Sequence, residues 1–238
     1  MPYKLLGWNV GSKSGNPMKS VIVNNVINKI NKMEVRKQGK EIQARCPLTI
    51  DEFKFTVKKL KDVDDFVWRY ALPALYSFQF HLIARIDDTC QFMRNELMVH
   101  DLFPFGLRGR MWWSKNVLEG RHCPSQIILG SNDPDFCVLL NVGLYLEHMF
   151  PTEVNDEGLV NCFSIAKKTY NTKKRAGKIL SDIFTSDDFE SNFGDGNGSI
   201  WALLGSHSLR KCAATHARRS GCSCNEIDLR GRWKHLKR

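Results

Sequence analysis

The chain has 238 residues, 42% of them hydrophobic, and carries 35 Lys and Arg against 25 Asp and Glu, a formal net charge of +10. That is enough apolar material for one large or two small cores, and no apolar run approaches the roughly 18–20 residues a membrane-spanning helix needs. The N-terminus lacks the apolar centre of a secretory signal, and eight cysteines in a chain this long are not a disulfide framework, so reduced thiols are expected. Charge is segregated. Residues 1–60 carry 12 basic and 4 acidic side chains (+8), residues 205–238 carry 9 and 2 (+7), and the stretch between carries 14 and 19 (−5). Two basic ends around a mildly acidic middle suit a protein that closes on a polyanion, and nucleic acid is the favoured partner.

Residues 1–16 are rich in Gly, Ser and Asn and read as a flexible end. From Met18 to Met33, Val21, Ile22, Val26, Ile30 and Met33 recur at helical spacing, which predicts an amphipathic helix. The charged stretch 34–46, broken by Gly39, reads as a linker, and a helix so isolated is expected to be the last piece of a preceding domain. Thr49 with Glu52 three residues on forms a capping-box pattern, opening a helix to about Lys61 with Phe53, Val57 and Leu60 inward. Residues 66–83 predict a buried helix, kinked or restarted at Pro73.

Arg85 follows this apolar run directly. A cation there needs a partner, and Asp88, three residues on, is the expected one. The helix is expected to continue through Phe92, Met93 and Leu97. Residues Arg110–Ser114 and His122–Leu129 change period and predict two strands of a small antiparallel sheet, with Lys115 at the root of the loop between them. A core helix is expected over 134–150, and helices with basic faces at about 161–170 and 175–185. Lys167, Lys168, Lys173, Lys174 and Arg175 form a candidate phosphate-backbone patch there. Residues 186–199, acidic and Gly-rich, read as a mobile loop.

The most informative stretch is 205–234. Gly205 and Ser206 read as turn and cap of a helix on which His207 and Arg210, three apart, share one face. A neutral imidazole beside a permanently charged fork of N–H donors suits the gripping of a phosphate while a proton moves nearby. A second basic-aromatic cluster, Arg230 to Lys234, follows the Gly221 break. Cys212, His216, Cys222 and Cys224 do not make a zinc site, because C-x-C is not the C-x2–4-C ligand spacing.

Taken together, Arg85, Lys115, His207-x-x-Arg210 and Trp233 stand in the order and approximate spacing of the catalytic residues of tyrosine recombinases. The wording ARIDDT, WSKN, QIILGS, GSHSLRK and RGRWK is most similar to the Crypton-type recombinases of eukaryotic mobile elements. The resemblance implies an α+β fold, mostly α-helical with a small antiparallel sheet. Residues 45–238 would form a catalytic domain incomplete at its C-terminus, and residues 1–44 the remnant of a core-binding domain plus linker. It implies that Arg85 and Arg210 clamp the scissile phosphate, that Lys115 protonates the leaving 5′ oxygen and that His207 assists proton transfer from the nucleophile. Trp233 would then offer its indole N–H to a phosphate oxygen, and Asp88 would orient Arg85. The reaction implied is strand breakage and rejoining through a 3′-phosphotyrosine, with no metal and no cofactor.

The implied partner is double-stranded DNA, contacted also by Lys211, Arg218, Arg219, Arg230, Arg232 and Lys234. A homo-oligomer, a synaptic tetramer in the full-length protein, is implied as well, with a nuclear location and no membrane. The family's tyrosine is expected about nine residues beyond the Trp233 position. Tyr3, Tyr70, Tyr76, Tyr145 and Tyr170 all precede His207, so the chain is read as cut before its nucleophile and unable to cleave alone. Three alternatives compete: a non-catalytic DNA-binding relic, a type IB topoisomerase-like enzyme, and a structural or RNA-binding module.

Overall fold

The computed structural model describes residues 21–35, 46–112, 123–148, 161–163, 169–194 and 204–233. The chain divides into two units, Met1–Ala44 and Arg45–Arg238. In the first, helix α1 (Val21–Val35) matches the amphipathic pattern, with Val26, Ile27, Ile30 and Met33 exposed.

In the second unit, α2 (Ile50–Lys61) opens on the expected reciprocal cap. The Thr49 hydroxyl accepts from the Glu52 N–H at 3.2 Å, and the Glu52 carboxylate accepts from the Thr49 N–H. Phe53, Thr56, Val57 and Leu60 form its buried face. Helix α3 (Phe66–His81) starts where the Asp65 side chain accepts from the N–H groups of Val67 and Trp68. It runs through Pro73 as one helix, without a restart. A proline inside a helix costs about 3 kcal/mol, and here the packing of an almost wholly buried helix against α2 outweighs it.

The chain then turns sharply. Ile83 adopts φ 47°, a left-handed conformation that a β-branched residue takes only when its surroundings force it. The turn is closed by the Ala84 N–H donating to the Gln79 carbonyl at 2.9 Å. Helix α4 (Ile86–Cys90) is a single short turn, not the run to Leu97 that the apolar pattern predicts. Phe92 leaves the helix to pack on Phe78, their ring centres 4.8 Å apart, and the chain becomes extended.

Strands β1 (Leu97–Val99), β2 (Gly106–Gly109) and β3 (Gln126–Leu129) form an antiparallel sheet in that order. The β3 position agrees with expectation, whereas the preceding strand lies at 106–109; of the expected strand 110–114, residues 110–112 are not strand and 113–114 lie outside the described residues, and β1 was not anticipated. Glycine disfavours strands, so GLRG is weak strand sequence. A Cβ added at Gly109 would lie 3.2 Å from the Phe92 ring, so the close packing of the two favours glycine there.

Helix α5 (Val138–His148) lies within the expected 134–150 and buries Val138, Val142 and Tyr145. The break expected between two basic helices at 171–174 is not there: α6 (Thr169–Phe184) runs through it, because Thr172, Ala176, Leu180 and Phe184 make a continuous buried stripe at i, i+4 spacing, while residues 164–168 lie outside the described residues. Helix α7 (Asp187–Phe193) takes the first part of the loop expected over 186–199, and residues 195–199 lie outside the described residues. Ser186 caps the helix, and Phe189 is fully buried with its ring against Phe184 and Phe55. Helices α8 (Ser206–Arg219) and α9 (Cys224–Gly231) complete the unit. The core gathers around α3, which packs against α2, α5 and α8, giving a mostly helical α+β fold with one small sheet.

Candidate functional site

The site grows from the first turn of α8. Gly205, not Ser206, is its N-cap. The cap bond is made by Ser208, whose hydroxyl accepts from the Gly205 N–H at 3.2 Å. Ser206 instead accepts through its carbonyl from the Gln79 amide at 2.8 Å, which ties the start of α8 to α3. From there His207 faces solvent while Arg210 turns inward.

Arg210 is held on two sides. Its Nη2 donates to the Gly231 carbonyl at 2.6 Å, and its guanidinium carbon lies 5.0 Å from the centre of the Trp233 ring. Its Nε is buried with no partner. A Cβ added at Gly231 would press on the Trp233 ring at 3.3 Å. Burial, and then the charge of nearby Arg85, lower the Arg210 pKa to about 10, with Asp88 opposing and Arg232 adding to the effect. Although His207 is exposed, partial desolvation of its ring and then the charges of Arg210 and Arg85 lower its pKa. Its imidazole is therefore neutral near pH 7 and can accept or donate a proton. Arg210 and Trp233 are thus in contact, and the charge of Arg85 acts on both His207 and Arg210.

Asp88 is nine-tenths buried and more, and its Oδ2 lies 3.5 Å from Arg232 Nη2, a fully buried ion pair. The expected Arg85–Asp88 pair is not formed: among the described residues Arg85 makes no ion pair. The reason is geometric. Arg85 stands ahead of α4 as its N-cap residue, whereas Asp88 lies inside the helix and points to the turn after α9. Arg232, in left-handed conformation at φ 54°, is itself the C-cap of α9.

The basic residues assigned to DNA divide into three groups. Lys174, Lys211, Arg218 and Arg219 are exposed. Lys173 pairs with Asp87 at 2.6 Å, and Arg175 pairs with Asp65 at 2.6 Å and lies over the Trp68 ring. Arg230 and Arg232 correct the expectation of outward contacts. Arg230 donates to the carbonyls of His81 and Ile127, both at 2.8 Å, and so joins α9 to α3 and β3. Arg232 is buried on Asp88. Lys115, Lys167, Lys168 and Lys234 lie outside the described residues. The Arg232–Asp88 pair is the feature sequence reasoning missed. Nothing in RGRW distinguishes an inward arginine from an outward one.

A separate cavity of about 330 Å³ lies between the ends of α3 and α8 and the start of α9, lined by Phe80, His81, Phe136, His216, Ile227 and Arg230 among others. Burial and the adjacent Arg230 lower the His81 pKa from 6.5 to about 4. A histidine held neutral in the fold takes up a proton more readily when unfolded. It therefore costs nothing above about pH 7 and weakens the fold progressively as pH falls from about 6.5 to 4, by roughly 3 kcal/mol in all. Urea unfolding of His81→Gln is expected to show a smaller loss of stability than the parent between pH 7 and 4. Parallel losses would show that His81 is not held neutral.

No protein-family model matches this chain, and no curated protein matches it in sequence. Solved structures do. XerA recombinase is 13% identical with a TM-score of 0.52, the match covering 82% of this chain and 57% of that one. The XerH site-specific recombinase, in a pre-cleavage complex with its difH substrate, is 10% identical with a TM-score of 0.52, covering 81% of this chain and 48% of that one. The chain thus spans about half the length of the recombinases it matches. At such identities the likeness is one of architecture: the fold is similar to that of tyrosine-recombinase catalytic domains.

Proposed function

We propose that this chain is a DNA-binding recombinase-type domain whose pocket grips a phosphodiester, the catalytic portion of a Crypton-like tyrosine recombinase of a mobile element acting in the nucleus. The observation that carries this is Arg210, buried against Trp233 with an Nε that has no partner and with the charge of Arg85 acting on it. Buried donors without acceptors are costly, and cations crowded together lower one another's pKa; a bound phosphate relieves both.

In this reading Arg85 and Arg210 hold the non-bridging oxygens and stabilise charge as the phosphorus becomes pentacoordinate. Neutral His207 helps move the nucleophile's proton, Trp233 supplies its indole N–H, and Lys115 serves as general acid to the leaving oxygen. In this reading the nucleophile is a tyrosine. Tyr76 and Tyr145 are buried, and burial drives their phenol pKa values upward, away from phenolate.

The test is direct. Titrating the chain into a fluorescent duplex at about 50 mM salt is expected to give saturable binding. No binding at that salt would end the proposal.

A further inference from the structure

The cavity of about 330 Å³ where α3, α8 and α9 meet takes no part in the phosphate grip, and its wall combines two kinds of group. The first is aromatic and apolar. Phe80 and Phe136 stand edge to face with ring centres 5.0 Å apart, and His216 lies 5.9 Å from Phe136 and 6.1 Å from Phe80. Ala213, Ala217 and Ile227 line it as well, and the two alanines leave room that larger side chains would fill. An apolar cavity of about 150 Å³ accepts one benzene ring, so this one has space for two fused rings.

The second is a cation. Arg230 lines the cavity, partly buried, and donates to the carbonyls of His81 and Ile127, both at 2.8 Å. Those acceptors are neutral, and among the described residues Arg230 makes no ion pair. Burial and then the charge of Arg232 lower its pKa, with Cys222 opposing, as happens to a cation taken from water without an acid beside it. Glu226, the acid of the wall, is exposed and already engaged at the cap of α9, where its Oε2 accepts from the Ser223 N–H and hydroxyl, both at 2.7 Å. A guanidinium fixed by the backbone and unmatched by an acid is preorganised to receive a carboxylate.

We infer that this cavity is a binding site for a small aromatic carboxylate, its fused ring against Phe80, Phe136 and Ile227 and its acid group on Arg230. A neutral aromatic would use the apolar wall and leave the arginine unmatched. An inorganic anion would use the arginine and leave the aromatic surface wet. An aromatic acid meets both, in the way small-molecule sites pair a largely apolar wall with one placed polar group. Arg230 also joins α9 to α3 and β3, so an acid bound there would strengthen the hold on α9. The inference stands apart from the phosphate-grip reading.

The experiment is isothermal titration of the chain at pH 7 with 2-naphthoate and with 2-naphthamide, which has the same shape and no charge. Naphthoate is expected to bind with a Kd on the order of 0.1 mM. It is expected to bind about tenfold tighter than the amide, the difference a charge-assisted hydrogen bond makes. Arg230→Gln is expected to bring the two ligands within about twofold of each other. Ala217→Leu, which fills the cavity and alters no charge, is expected to abolish binding of both. Sulfate equimolar with naphthoate is expected not to displace it.

Equal affinity for acid and amide in the parent chain overturns the inference, and so does full naphthoate binding in Ala217→Leu. Displacement by equimolar sulfate overturns it too, marking a bare anion site, as does a parent chain that binds neither ligand. Because Arg230→Gln removes two links between elements, the comparison of acid with amide in the parent and the Ala217→Leu chain decide the matter if that variant does not fold.

Discussion

Arg210→Ala, made in a chain that carries the nucleophilic tyrosine, is expected to slow covalent attachment to a nicked suicide duplex by about 10²–10³-fold, or roughly 3–4 kcal/mol. The size of the effect follows from how Arg210 is held. One arm is anchored on the Gly231 carbonyl, the guanidinium lies on the Trp233 ring, and Nε is left over with no protein acceptor. A donor fixed in this way is not reorganised when charge develops on the phosphate, which is where preorganisation has most effect. The variant also leaves the Gly231 carbonyl without its donor, costing about 1–3 kcal/mol of stability. Attachment must therefore be measured well below the variant's unfolding midpoint. Unchanged covalent yield in a folded variant would remove Arg210 from the clamp.

The second large effect is salt dependence. Raising salt from about 50 to 200 mM is expected to weaken duplex binding about 10³-fold, the loss for a protein making about six phosphate contacts. The lower end of the usual range is expected because some of the basic residues are turned inward. Lys174, Lys211, Arg218 and Arg219 are exposed, whereas Arg230 and Arg232 are engaged inside the fold. Lys174→Gln is accordingly expected to reduce the logarithmic salt slope by about 1. Arg230→Gln is expected to leave the slope unchanged while lowering the unfolding midpoint, because two buried carbonyls lose their donor. A flat salt response would argue against a backbone-dominated interface, and a changed slope in Arg230→Gln would place that side chain at the surface.

Much of the site was legible in the residues because its central signal is local. Helical spacing sets His207 and Arg210 one turn apart, although the fold leaves His207 exposed and buries Arg210, and the Thr49–Glu52 cap and the buried faces of α2 and α3 follow from adjacent side chains. Resemblance then supplied Arg85 and Trp233, which no local pattern joins to α8. Boundaries failed where a distant contact overrode local preference. Phe92 ended a helix by packing on Phe78, Gly109 sat in a strand to admit the Phe92 ring, and Phe189 turned an acidic Gly-rich stretch into a capped helix by entering the core.

What the sequence determined unaided was therefore the kind of chemistry: a basic chain with a helical His–Arg pair and an arginine after a buried helix, because charge and periodicity are properties of the residues themselves. Only the tertiary structure decided which cation meets which carboxylate. Arg85, Arg210, Arg230 and Arg232 are chemically identical, and they differ by what backbone turns and burial set in front of each. Asp88 faces Arg232 and not its near neighbour Arg85 because α4 begins at Arg85 and the left-handed turn after α9 brings Arg232 to the other side.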